Sequence, residues 1–218
     1  MVWKIGLFVI FVWVILGTWM FEPPMFGVSS PEIYRIFYFH VPVALVTFIA
    51  YGFAMYQGLR YLNKRDLLYD KKSETAALLG TIFCALAAGS GSVFAKFTWG
   101  TFWNWDPRET SIVVLLLIYL AYFSLRSAVA DPIKKANLAS VYSILGFISA
   151  IFTIFIWPRI TPGLHPGAPG DTASGAFIKM SGQTWLVFGP SLAAFLIMYI
   201  WMYMLSMKVH ALREGKLR

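Results

Sequence analysis

Thr110–Ala130 reads TSIVVLLLIYLAYFSLRSAVA, an apolar run broken by a single charge, Arg126, and followed at once by Asp131-Pro132. At about 1.5 Å of rise per helical residue, such a run matches the roughly 30 Å hydrocarbon core of a bilayer. Working outward, five more runs of this kind appear, near Ile5–Phe21, Ile36–Arg60, Ser73–Ala95, Asn137–Trp157 and Gln183–Met207. The fold class that follows is all-α: a polytopic membrane protein, a bundle of six transmembrane helices forming a single domain over residues 1–218. Composition agrees, since 59% of the 218 residues are hydrophobic and 13% are charged, where a soluble domain has about 25% charged residues. The first run lacks a small-x-small cleavage site and reads as a retained helix, not a signal peptide.

The net charge of +8 would suggest nucleic acid in a soluble protein. Its distribution gives another reading. With both termini cytoplasmic, the inner loops and tails hold Lys4, Arg60, Lys64, Arg65, Lys71, Lys72, Arg126, Lys134, Lys135, Lys208, Arg213, Lys216 and Arg218. The outer face holds only Arg35, Lys96, Arg108, Arg159 and Lys179. Basic residues collect on the cytoplasmic side of membrane proteins, so the lipid bilayer accounts for the charge and no nucleic-acid partner is expected. No Gly-rich phosphate loop ending in Lys-Ser/Thr occurs, which excludes ATP hydrolysis by this chain. The one cysteine, Cys84, lies in an apolar run. The chain therefore forms no internal disulfide and has no CxxCH site for covalent haem attachment.

Three segments face outward in this topology: Glu22–Tyr38, Lys96–Arg108 and the Pro/Gly-rich Pro158–Gly182. Helix starts carry capping chemistry. Ser30-Pro31-Glu32 and Asp131-Pro132 each pair a cap with a first-turn proline, and Asp106-Pro107-Arg108-Glu109 has the spacing of a capping box. Of three histidines, His40 lies beside Pro42 near the outer edge of the second run, and His165 lies in the third outer segment beside Pro166. His210 reads as part of a solvated tail. Two imidazoles on one side of the membrane suit haem iron, which takes axial histidines; equally, one is a packing residue and the other an exposed loop residue.

Phe97-Thr98-Trp99-Gly100-Thr101-Phe102-Trp103-Asn104-Trp105-Asp106-Pro107-Arg108-Glu109 packs three Trp and two Phe into a short stretch. If it is helical, Trp99 and Trp103 share a face. Two uses are open: an interfacial aromatic belt, or a platform for a flat apolar ligand with acidic edge groups, which Arg108 and Arg35 would pair with bidentately. As a platform its members are Trp99, Trp103, Trp105 and Asp106.

The stretch Trp99–Asp106 resembles the tryptophan-rich WWD motif of the haem-handling protein family. His40-Val41-Pro42-Val43-Ala44 resembles the histidine motif of that family's CcmC branch. The resemblance covers most of the chain. It departs from the family's pattern at Phe102, where relatives often carry Trp, and before His165, where relatives are richer in Trp. The resemblance implies non-covalent haem b held at the outer face of the cytoplasmic membrane, with His40 and His165 as metal ligands. It further implies transfer to the haem chaperone CcmE during c-type cytochrome assembly. Its implied partners are the ABC transporter subunits CcmA and CcmB and the small membrane subunit CcmD.

The role expected is ligand presentation and handover, with no substrate chemistry of the chain's own. Two rivals differ in what they require. A CcsA-like haem lyase component expects further histidines and a large soluble domain. A small-solute permease expects ionisable residues lining a pathway within the spans, whereas nearly all charges here sit at span ends.

Overall fold

The computed structural model describes residues 2–21, 31–165, 168–169, 180–213 and 215. Among them, six helices are long and apolar enough to cross a membrane, and no strand occurs. The protein is a multi-pass all-α membrane protein. Large apolar side chains such as Phe8, Leu117, Leu145 and Ile200 point outward, as they do where lipid and not water is the solvent.

Helix α1 spans Val2–Met20. A 3₁₀ turn at Pro31–Ile36 leads into α2, Phe37–Lys64. Then come α3 (Leu67–Trp99), α4 (Pro107–Ala128) and α5 (Pro132–Ile151). The fifth span continues through a π-helical turn, Phe152–Ile156, into the short α6, Trp157–Ile160, and α7 is Gly182–Arg213. Most spans run past the apolar stretches that announce them. α3 starts at Leu67 and not near Ser73, because Asp66 accepts the Leu68 N–H at 2.9 Å and caps a polar first turn. α7 runs through Arg213, so His210 is half-buried in its last turn and not in a solvated tail.

α2 is the central element, packed on α3, α5 and α7, while α1 lies against α7. In the core the rings of Tyr51 on α2 and Tyr119 on α4 stack with centroids 3.4 Å apart and 9° between planes. Gly80 on α3 admits this stack: a Cβ there would stand 2.9 Å from the Tyr51 ring. At the end opposite the site, buried Arg126 makes a two-pronged contact with Asp70, at 2.7 and 2.9 Å, and reaches Glu74 at 3.2 Å. A buried guanidinium needs such partners to offset its lost hydration.

Asp131 caps α5 by accepting the Lys134 N–H at 2.6 Å. The expected Ser30 cap lies outside the described residues. The capping box at Asp106 is not reciprocal: Asp106 accepts the Arg108 N–H at 2.8 Å, but Glu109 accepts the Asn104 N–H, also at 2.8 Å. Trp105 between them is left-handed at φ 58°, a conformation unfavourable for a bulky side chain, and this turn offers Asn104 to Glu109.

Candidate functional site

The second outer segment is not a helical shelf. α3 ends at Trp99, Gly100 turns left-handed at φ 88°, and a loop carries the chain to α4. Trp99 and Trp103 therefore share no helical face. The loop is stitched by polar contacts: Ser92 Oγ donates to Phe102 O at 2.7 Å, Lys96 Nζ to Gly100 O at 2.9 Å, and Thr101 Oγ1 to Trp103 O at 3.0 Å.

Beneath this loop lies a cavity of about 290 Å³, near the lower end of the range for small-molecule sites. It opens where α2 and α4 begin and where α3 and the fifth span end. Val41, Ala44, Leu45 and Phe48 of α2 line one wall, with Ala87 and Gly91 of α3, Ile112 of α4, and Thr153–Phe155 of the π turn around the rest. His40 and His165 both line this cavity, although one comes from a membrane helix and the other from a distant loop. Trp103, Arg108, Glu109 and Arg159 complete its rim.

His40 Nδ1 lies 2.9 Å from Ser90 Oγ on α3. Its ring rests over Gly91, where a Cβ would come within 3.0 Å of the imidazole Cε1. The one-residue gap between Gly89 and Gly91 thus supplies both a polar partner and a ring-sized space. His165 is held from the other side. Its Nδ1 is 2.6 Å from Asp106 Oδ1, and the Leu164 N–H donates to Asp106 Oδ2 at 2.6 Å. Gly163 allows this approach, since a Cβ there would stand 2.7 Å from the same oxygen. Asp106 is 3% exposed. Burial pushes its carboxyl up, but the hydrogen bond and charge of His165 and the N–H groups of Leu164 and Arg108 outweigh burial and hold it at about 2, below the ordinary 3.8. Asp106 is thus ionised at neutral pH while joining the His165 loop to the start of α4.

The remaining residues singled out in the sequence divide by position. Trp99 stands 4.8 Å from the His165 ring, edge to face, and meets Phe94 at 5.6 Å behind it. It buttresses the histidine without lining the cavity. Trp103 lines the cavity and touches Trp105 edge-on at 5.5 Å. Trp105 points away and is 78% exposed. Arg108 lines the cavity, but Arg35 does not: its Nε donates to Glu32 at 2.7 Å and its guanidinium lies 4.6 Å from the Trp19 ring.

Sequence reasoning missed Ser90, Glu109 and Arg159 as parts of the site. The signal for Ser90 was Gly89-Ser90-Gly91-Ser92, small and polar residues inside an apolar span. Glu109 was read as a cap. It is buried, with Oε2 on Asn104 and Oε1 without a hydrogen-bond partner among the described residues.

The donor set fits haem as cargo. Each histidine engages a neighbour through Nδ1, the walls are apolar, and two guanidiniums face one carboxylate at the rim, leaving it net positive. The Heme exporter protein C of Paracoccus denitrificans is 31% identical over 157 residues, covering 69% of this chain and 65% of that protein. The protein of the same name from Escherichia coli is 27% identical over 164 residues, 72% of this chain and 63% of its own. A putative cytochrome c biosynthesis ccmC-like mitochondrial protein of Marchantia polymorpha is 34% identical over 118 residues, 54% of this chain and 49% of its own. The chain thus spans about half to two thirds of the length of these relatives. The profile of the Heme exporter protein C family matches residues 1–217, and with that match over nearly its whole length the chain belongs to this family.

Proposed function

We propose that this protein binds haem b non-covalently in the two-histidine cavity and presents it for transfer during c-type cytochrome maturation. The observation that carries the reading is that His40 and His165 line one apolar cavity under a tryptophan-bearing loop. Haem supplies an iron that accepts two axial nitrogens and a flat apolar ring with acid side groups. In this reading His40 and His165 take the iron, Trp103 covers the ring, and Arg108 pairs with an acid group, which guanidinium does well. Trp99 and Asp106 hold His165, and Arg35 serves as an interfacial anchor beside Trp19. Trp105 faces outward, where it meets the recipient.

The cavity faces the outer side of the cytoplasmic membrane, with both termini inside, as the basic residues of the inner loops argue. The recipient is a haem chaperone of the CcmE kind, and the assembly includes CcmA, CcmB and CcmD. The test is the visible spectrum of purified protein reconstituted with haem. His40→Gly and His165→Gly should each lose the low-spin spectrum and regain it with added imidazole, while His210→Gly should leave it unchanged. A normal spectrum in the His165→Gly variant would remove the ligand assignment.

A further inference from the structure

The two cavity histidines do not anchor their second ring nitrogens alike. Asp106 is an ionised carboxylate, which only accepts, so His165 Nδ1 must donate to it across 2.6 Å. Ser90 Oγ donates its one proton toward Leu86 O at 2.8 Å, so toward His40 Nδ1 at 2.9 Å it acts as an acceptor. Both rings therefore carry hydrogen on Nδ1 and leave Nε2 bare. The acceptors differ: a buried anion behind one ring, a neutral hydroxyl behind the other. An imidazole that donates to a carboxylate gains electron density at its far nitrogen and becomes the more basic metal ligand.

We propose that Asp106 and Ser90 are positioning residues that make the two axial histidines unequal, His165 the retained ligand and His40 the one that leaves first at handover. The inference rests on the haem reading above and adds an order of release to it. Asp106 suits the retained side for a second reason: it also accepts the N–H groups of Leu164 and Arg108, so the carboxylate cannot swing away from His165 without uncapping α4. Ser90 has no such additional hold on α2.

The experiment uses the full chain, purified and loaded with haem. Its readouts are the midpoint potential by spectroelectrochemistry and the rate at which carbon monoxide displaces a histidine from the dithionite-reduced iron. Asp106→Asn keeps the cap, since Asn caps as well as Asp, but removes the charge. It should raise the midpoint potential, while Ser90→Ala should leave it nearly unmoved. Ser90→Asp gives His40 an anionic partner and should lower the potential and slow carbon monoxide entry by about tenfold, the scale of such outer-sphere effects. Unchanged potential in Asp106→Asn, or unchanged carbon monoxide entry in Ser90→Asp, with the low-spin spectrum intact, overturns the inequality and leaves the haem reading standing. Absence of a low-spin haem spectrum in the unaltered protein overturns both.

Discussion

At the scale of single residues, the tryptophan loop divides its labour. Trp103 is half-buried on the cavity, whereas Trp105 is 78% exposed and left-handed at φ 58°. Losing a fully buried aromatic side chain costs about 3–5 kcal/mol and a half-buried one less. Trp103→Ala should therefore lower bound haem without abolishing it, while Trp105→Ala should keep haem content and impair transfer to the chaperone. Haem per protein after gel filtration and co-purification of loaded chaperone check the two halves. The backbone at Trp105 gives an independent handle. Glycine adopts positive φ without the roughly 1–2 kcal/mol penalty of other residues. Trp105→Gly should thus melt higher than Trp105→Ala, although both lose the same ring. Equal melting temperatures would mean that the left-handed turn is not kept in the membrane-embedded protein.

At the scale of elements, the approach of α2 to α3 is set by two glycines with different consequences. At Gly80 an added methyl meets Tyr51 at 2.9 Å, and the Tyr51 ring cannot retreat because it is stacked on Tyr119. Gly80→Ala should lower the melting temperature, in line with about 1–3 kcal/mol for overpacking a core, and leave the haem spectrum alone. At Gly91 the methyl meets the His40 ring at 3.0 Å, which faces a cavity. Gly91→Ala should disturb the haem spectrum and spare stability. The reverse pattern would misplace the site. The six spans were legible because lipid demands long apolar runs and capped ends. The two histidines were legible because imidazoles are rare in this chain, and the WWD resemblance pointed to the same pair. What escaped was everything that depends on how elements meet. Ser90 reads as an ordinary small residue until α2 sets His40 beside it. Asp106 reads fully as a helix cap, and nothing near it in sequence announces that a loop returns to place His165 on the same carboxylate. Arg35 was grouped with Arg108 by charge alone, but its 3₁₀ turn pairs it with Glu32.

At the scale of the whole molecule, the far end of the bundle is locked by Arg126, Asp70 and Glu74. Removing the guanidinium strands Asp70, and breaking a buried ion pair costs about 3–5 kcal/mol. Arg126→Met should melt markedly earlier, and adding Asp70→Asn should recover much of the loss; heating followed by gel filtration reads both. Orientation is tested by single cysteines at Asn63 and Gly170 in a Cys84→Ala background, Gly170 lying outside the described residues. An impermeant thiol reagent applied to intact cells should label the Gly170 cysteine and spare the Asn63 cysteine, and the opposite result would invert the protein. One further consequence belongs to the fifth span. In its π turn Trp157 N–H donates five residues back, to Phe152 O, so the helix holds one residue more than an α-helical path would need. Deleting any one residue of Phe152–Ile156 would restore the α path and swing all that follows by about 100° around the helix axis. Arg159 would leave the rim, and the stretch leading to His165 would depart from the wrong side of the span. In this segment length, more than residue identity, carries the constraint: substitutions should be absorbed, while a single-codon deletion should detach one histidine from its site and leave the earlier spans intact.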